Sequence, residues 1–124
     1  MFHVLILDDE AERHRAFAEV LEGCEVRHAL TAPEAKVALI DDDIFDLVCL
    51  DHDLGFLWSR KSNTGMAVAE FIARDMRDKI PHHVLIHSNN VVAAERMQAE
   101  LERLPGWIRE LTRARDCGVL KSGR

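Results

Sequence analysis

Residues 2–10 read Phe2-His3-Val4-Leu5-Ile6-Leu7-Asp8-Asp9-Glu10. A short apolar, β-branched run that breaks at once into acids suits a strand buried on both faces, with carboxylates at its carboxyl end. The pattern returns twice. Ile44 to Leu50 is the most apolar stretch and stops at Asp51-His52-Asp53-Leu54-Gly55, and Val84-Leu85-Ile86 stops at His87-Ser88-Asn89-Asn90. Between these runs the apolar positions switch to helical spacing. Phe17, Val20 and Leu21 mark a helix from Glu12 to Glu22 ended by Gly23, and Val68, Ala69, Ile72 and Met76 mark one running to about Lys79, closed by Pro81. Ala94, Met97, Leu101 and Leu104 mark another before Pro105-Gly106. A half-polar run from Glu25 to Leu30 suits an edge strand. Thr31 and Glu34 form a capping box that opens a helix to about Asp41, and the acidic run Asp41-Asp42-Asp43 reads as a solvated turn.

Strand and helix alternate, so the expected class is α/β: a doubly wound parallel sheet of five strands in the order 2-1-3-4-5, flavodoxin-like in topology. Trp107 to Leu111 is the expected fifth strand, although its pattern reads almost as well as a helix. The 124 residues fit one domain with its core over about 2–111 and a tail over about 112–124, leaving a truncated or irregular C-terminal end. An apolar fraction of 48% can fill such an interior.

The charge balance, 16 Lys and Arg against 22 Asp and Glu for a net −6, argues against broad binding to a nucleic-acid backbone or an anionic membrane. Three cysteines, Cys24, Cys49 and Cys117, lack the close spacing of a zinc or redox motif and fit a reducing cytoplasm; Cys24 and Cys49 read as small buried hydrophobes. The first apolar run is too short for a signal segment, and no stretch approaches the roughly 20 apolar residues of a membrane span.

In a parallel sheet, the ends of all three acid- or histidine-terminated strands lie on one edge, so clusters about 40 residues apart in sequence meet in one cleft. Asp8, Asp9 and Asp51 would repel one another there unless protonated or neutralised, and oxygen ligands favour a hard cation such as Mg²⁺. Mn²⁺ becomes suitable if His52 turns inward, with Asp53 beside it. The same acids also suit helix N-caps or solvated loop ends. His87 can act as general acid or base or hold neighbouring backbone, and Ser88 can donate a hydrogen bond to a phosphoryl oxygen. Asn89 and Asn90 also suit a helix cap. His3, His82 and His83 fall near strand starts on the opposite edge, and His14 lies on a helix.

At these positions the chain resembles the receiver superfamily of two-component signalling: Asp8-Asp9 after the first strand, Asp51 at the phosphoacceptor position, Thr64-Gly65 opening the third helix and Ser88 after the fourth strand. It departs in a longer loop between Asp51 and Gly65, and in having Arg109, Arg113 and Arg115 where receivers keep a lysine that clamps the phosphoryl group; the first lysine in that region is Lys121. It is more similar to the cyclic-phosphate processing receiver subgroup, through Leu7-Asp8-Asp9-Glu10 with a downstream arginine (Arg13 or Arg15), Leu50-Asp51-His52-Asp53-Leu54-Gly55, Thr64-Gly65, and His87-Ser88 with Asn90 and Met97. Val92-Ala93 departs from its pattern.

That resemblance implies a metal-dependent phosphoesterase acting on a 2′,3′-cyclic phosphate at a nucleotide or RNA end. Asp8, Asp9 and Asp51 would surround Mg²⁺ or Mn²⁺, Asp51, His52, Asp53, His87 and Ser88 would carry the chemistry, and Asn90, Arg13 and Arg60 would bind substrate. Trp58 and Lys61, near Arg60 on the long loop, suit stacking and phosphate contact or an ordinary exposed loop. The alternatives are a stand-alone receiver phosphorylated on Asp51 by a histidine kinase, and a catalytically silent interaction module.

Overall fold

The computed structural model describes residues 1–51, 53–54, 63–87, 91–104, 107–111 and 117–122, the last two segments as strand backbone. The alternation read from the sequence is present as β1 (His3–Leu7), α1 (Ala11–Val20), β2 (Glu25–Ala29), α2 (Ala32–Asp41), β3 (Leu47–Leu50), α3 (Gly65–Asp75), β4 (His83–His87) and α4 (Val91–Leu101). β1 pairs in parallel with β2 and with β3, and β3 pairs in parallel with β4. This four-stranded parallel sheet with its four helices is a receiver-like α/β fold.

The far side of the sheet differs from the expected five-strand order. Trp107–Leu111 is a strand, β5, but Cys117–Ser122, expected as tail, is a sixth strand, β6, and the observed order is β2-β1-β3-β4-β6-β5. β6 runs antiparallel to both β4 and β5. A local hairpin thus supplies the strand beside β4, where the parallel scheme requires a crossover helix to bring in the fifth strand.

The pleat of β1 divides the core. Leu5 and Leu7 join the larger cluster with α2, α3 and α4, built around Phe45, Leu50, Ile72, Ile86, Met97 and Leu101. Val4 and Ile6 face the other way, onto Cys49 with Phe17 and Leu21 of the α1 segment. Helices therefore cover both faces. The stripe expected on α1 is shifted: Val20 is 84% exposed, while His14 is the buried residue of the helix. α2 opens as anticipated, with the Glu34 amide donating to Thr31 Oγ1 at 3.3 Å; the Glu34 carboxylate reaches one residue further back, accepting from the Leu30 amide at 3.0 Å. Phe45, expected within the third strand, precedes it yet is buried, and α3 ends at Asp75 rather than near Lys79. Asp42 is more than a solvated turn: it pairs with Arg27 at 2.9 Å and lies 3.6 Å from His3 at the amino edge of the sheet. Cys49 is buried and Cys24 half-buried. Among the described residues no helix is long and apolar enough to cross a membrane.

Candidate functional site

Asp8 and Asp51 leave the sheet side by side because their amides continue its ladder: the Asp8 amide donates to the Ala29 carbonyl and the Asp51 amide to the Leu7 carbonyl, each at 3.1 Å. Asp8 is fully buried, Asp51 nearly so, and Asp9 half-buried. One carboxylate oxygen from each of Asp8, Asp9 and Asp51 lies within 4.8 Å of the other two. The Glu10 amide donates to Asp8 Oδ1 at 2.8 Å and orients that carboxylate. Asp8 Oδ2 and Asp51 Oδ2 are buried without a hydrogen bond among the described residues. Buried carboxylate oxygens are costly without a cation, and beside Arg13 the trio's oxygen donors fit a divalent metal ion.

Arg13, one turn into α1, reaches over the trio. Its Nε is 2.8 Å from Asp8 Oδ2, and its terminal nitrogen is 3.3 Å from Glu10, 3.7 Å from Asp51 and 4.0 Å from Asp9. Burial opposes its charge, yet Asp8, followed by Asp51 and Glu10, raises its pKa overall. Asp51 has the opposite problem: burial first, then the charge of Asp8, pushes its pKa up to about 7, against a partial offset from Arg13.

His87 ends β4 with its Nδ1 3.8 Å from Asp8 Oδ2 and its ring against Phe17, centroids 5.1 Å apart. Burial lowers its pKa, and the nearby Asp8 only partly opposes this. Its Nε2 is buried without a hydrogen-bond partner among the described residues.

Two features of the cleft escape a reading of motifs. His14 is buried, its Nε2 donating to the Asp8 carbonyl at 2.7 Å while its Nδ1 meets Nδ1 of His28 at 2.6 Å, so α1 and β2 are tied to the end of β1. Its place on one helical face with Phe17 and Leu21 was the available signal. Gly65, the first residue of α3, touches the back of the site: a Cβ there would overlap the Asp51 carbonyl oxygen and lie 2.8 Å from Met97 Cε. Thr64 caps that helix, its Oγ1 accepting from the Ala67 amide at 3.2 Å.

The structure therefore brings together Asp8, Asp9, Asp51, Arg13 and His87 of the expected residues, and it is Arg13, with Arg15 exposed, that meets the acids. Asp53 is exposed and outside the close trio, though its charge adds to the raised pKa of Asp51. His52, Arg60, Ser88 and Asn90 lie outside the described residues, as do Trp58, Lys61 and Asn89.

A family profile described as the cyclic-phosphate processing receiver domain matches residues 3–103, from the first strand to the end of α4. The chain belongs to that family. The comparison with curated proteins returned no match. The matched span contains all five residues gathered in the cleft of this cyclic-phosphate processing receiver domain and stops short of the β5–β6 hairpin.

Proposed function

We propose that the domain is a metal-dependent phosphoesterase that opens a 2′,3′-cyclic phosphate at a nucleotide or RNA end. The observation that supports this most is the meeting, in one cleft, of three carboxylates carrying two buried oxygens without hydrogen bonds among the described residues and a half-buried His87, its pKa lowered by burial, whose Nε2 also lacks one. Asp8, Asp9 and Asp51 are the residues to hold Mg²⁺ or Mn²⁺; when bound, the ion supplies charge neutralisation at the phosphate and a more acidic water. The reaction adds water across one P–O ester bond. The water oxygen joins phosphorus, the bond to one ribose oxygen breaks, and that oxygen takes a proton, leaving a phosphate monoester.

His87 is suited to the proton work. With its pKa lowered by burial, it accepts a proton at Nε2 as water attacks, and we assign the complementary acid role to His52 of the Asp51-His52-Asp53 motif. Arg13, with its planar fork of donors, serves the phosphate together with Asn90 and Arg60, and Asp53 and Ser88 join the chemistry around it. The net charge of −6 restricts binding to a nucleotide or a chain end rather than a length of RNA.

The second reading, a receiver phosphorylated on Asp51, rests on the shared fold and acids. Against it, Lys121 stands opposite His83 in the β4–β6 register, at the amino edge of the sheet, while Asp51 follows the carboxyl end of β3. The two readings separate in one experiment. Hydrolysis of 2′,3′-cyclic AMP that requires Mg²⁺ or Mn²⁺, with no stable labelling by acetyl phosphate, is the expected result. Labelling of Asp51 without hydrolysis would establish the receiver, and neither reaction would leave a binding module.

A further inference from the structure

We infer that Arg13 is an exchangeable cation, neutralising Asp8 and Asp51 when no divalent metal is bound and displaced from them when one binds. The inference rests on the metal-centre reading of the same cleft. Arg13 contacts all three carboxylates that converge there, and two of its contacts are to Asp8 Oδ2 and Asp51 Oδ2, the oxygens without hydrogen bonds. It thus competes for the atoms that a metal would use.

The manner of the contact favours exchange. Asp8 Oδ1 is fixed by the Glu10 amide of the backbone, whereas Oδ2 meets the end of a long arginine side chain that is 44% exposed. A guanidinium keeps its proton, so it can vacate the site only by moving, and an exposed side chain on the first turns of α1 has solvent to move into. The charges set the direction. Among the described residues Asp8, Asp9, Asp51 and Glu10 face one arginine, whose single positive charge under-neutralises the ionised cluster, so a divalent ion is the stronger partner.

Two measurements test this on the full chain. Free Mn²⁺, read by electron paramagnetic resonance at low ionic strength, should report binding about tenfold or more tighter for Arg13→Gln than for the native protein, since the metal no longer displaces an internal cation. Equal or weaker binding by the variant would overturn the exchange. In the native protein, the ¹H–¹⁵N resonance of Arg13 Nε should move toward the position of a free, rapidly exchanging arginine as Mg²⁺ is added, a readout that needs no variant. An unmoved resonance while Mg²⁺ binds would equally overturn it. Absence of binding to either protein would remove the metal-centre reading as well, whereas equal binding to both removes the exchange alone.

Discussion

Replacing Asp51 with asparagine should stabilise the metal-free domain, and by an amount that grows with pH. Asp51 is buried beside Asp8, and its pKa in the folded chain is about 7 against an ordinary value of 3.8. A carboxyl group raised in this way contributes its full stability below the unfolded value and loses it as pH rises through the folded one. The difference between the two values, at about 1.4 kcal/mol per unit, amounts to about 4 kcal/mol between the acidic limit and pH 8, of which roughly 2 to 3 kcal/mol falls between pH 5 and pH 8. Asparagine keeps the shape and cannot ionise, so Asp51→Asn escapes that loss. Burial of His87 adds a pH dependence of its own on the acidic side, but it is common to both proteins and drops out of their difference. Urea unfolding in the presence of a chelator, at pH 5 and pH 8, measures this difference directly. The native-to-variant gap should widen by roughly 2 to 3 kcal/mol at the higher pH, and saturating Mg²⁺ should close it by stabilising the native carboxylate. A gap of the same size at both pH values would refute the burial argument.

Gly65→Ala should cost about 1 to 3 kcal/mol and blunt the Mg²⁺-induced rise in melting temperature, because the new methyl group presses on the Asp51 carbonyl and on Met97; thermal unfolding with and without Mg²⁺ checks both effects. His87 should titrate below 6.5 by NMR, and Phe17→Ala, which uncovers the ring, should move that titration upward, whereas an unmoved titration would show that other neighbours do the burying. The Cys49 thiol, pushed up to about 12 by burial, should resist iodoacetamide at pH 8 in the folded protein while half-buried Cys24 reacts, as peptide mass spectrometry would show.

The parallel half of the fold was legible because its strands announce themselves twice, by apolar content and by the polar residues that stop them. β1 and β3 each end where the apolar run ends and β4 one residue beyond it, at His87, and in a parallel sheet those ends carry Asp8, Asp9, Asp51 and His87 to one edge. β6 was illegible for the complementary reason. Cys117-Gly118-Val119-Leu120-Lys121-Ser122 has a glycine, a lysine and a serine among six residues, and its strand character comes from neighbours on both sides rather than from its composition. His14 was underrated because a histidine on a helix is normally solvated; what makes this one different is the Asp8 carbonyl and His28 converging on it, contacts between segments that local spacing does not report. Arg13 could be narrowed only to one of two arginines until the pitch of α1 selected it.

The place of β6 in the sheet has a consequence for how the chain assembles. β1 to β4 find their ladder partners within the first 87 residues, but the strand that covers the open side of β4 is made after β5, which takes the outer edge. During synthesis β4 therefore waits as an unprotected edge, offering its unpaired backbone to any extended segment nearby. The β5–β6 pairing is local and can form first, so the two strands arrive as a ready-made ribbon whose second strand seals β4. Until that ribbon seats, the same backbone is open to a strand from elsewhere, and only the tether that keeps the chain's own ribbon at high effective concentration favours the correct seal.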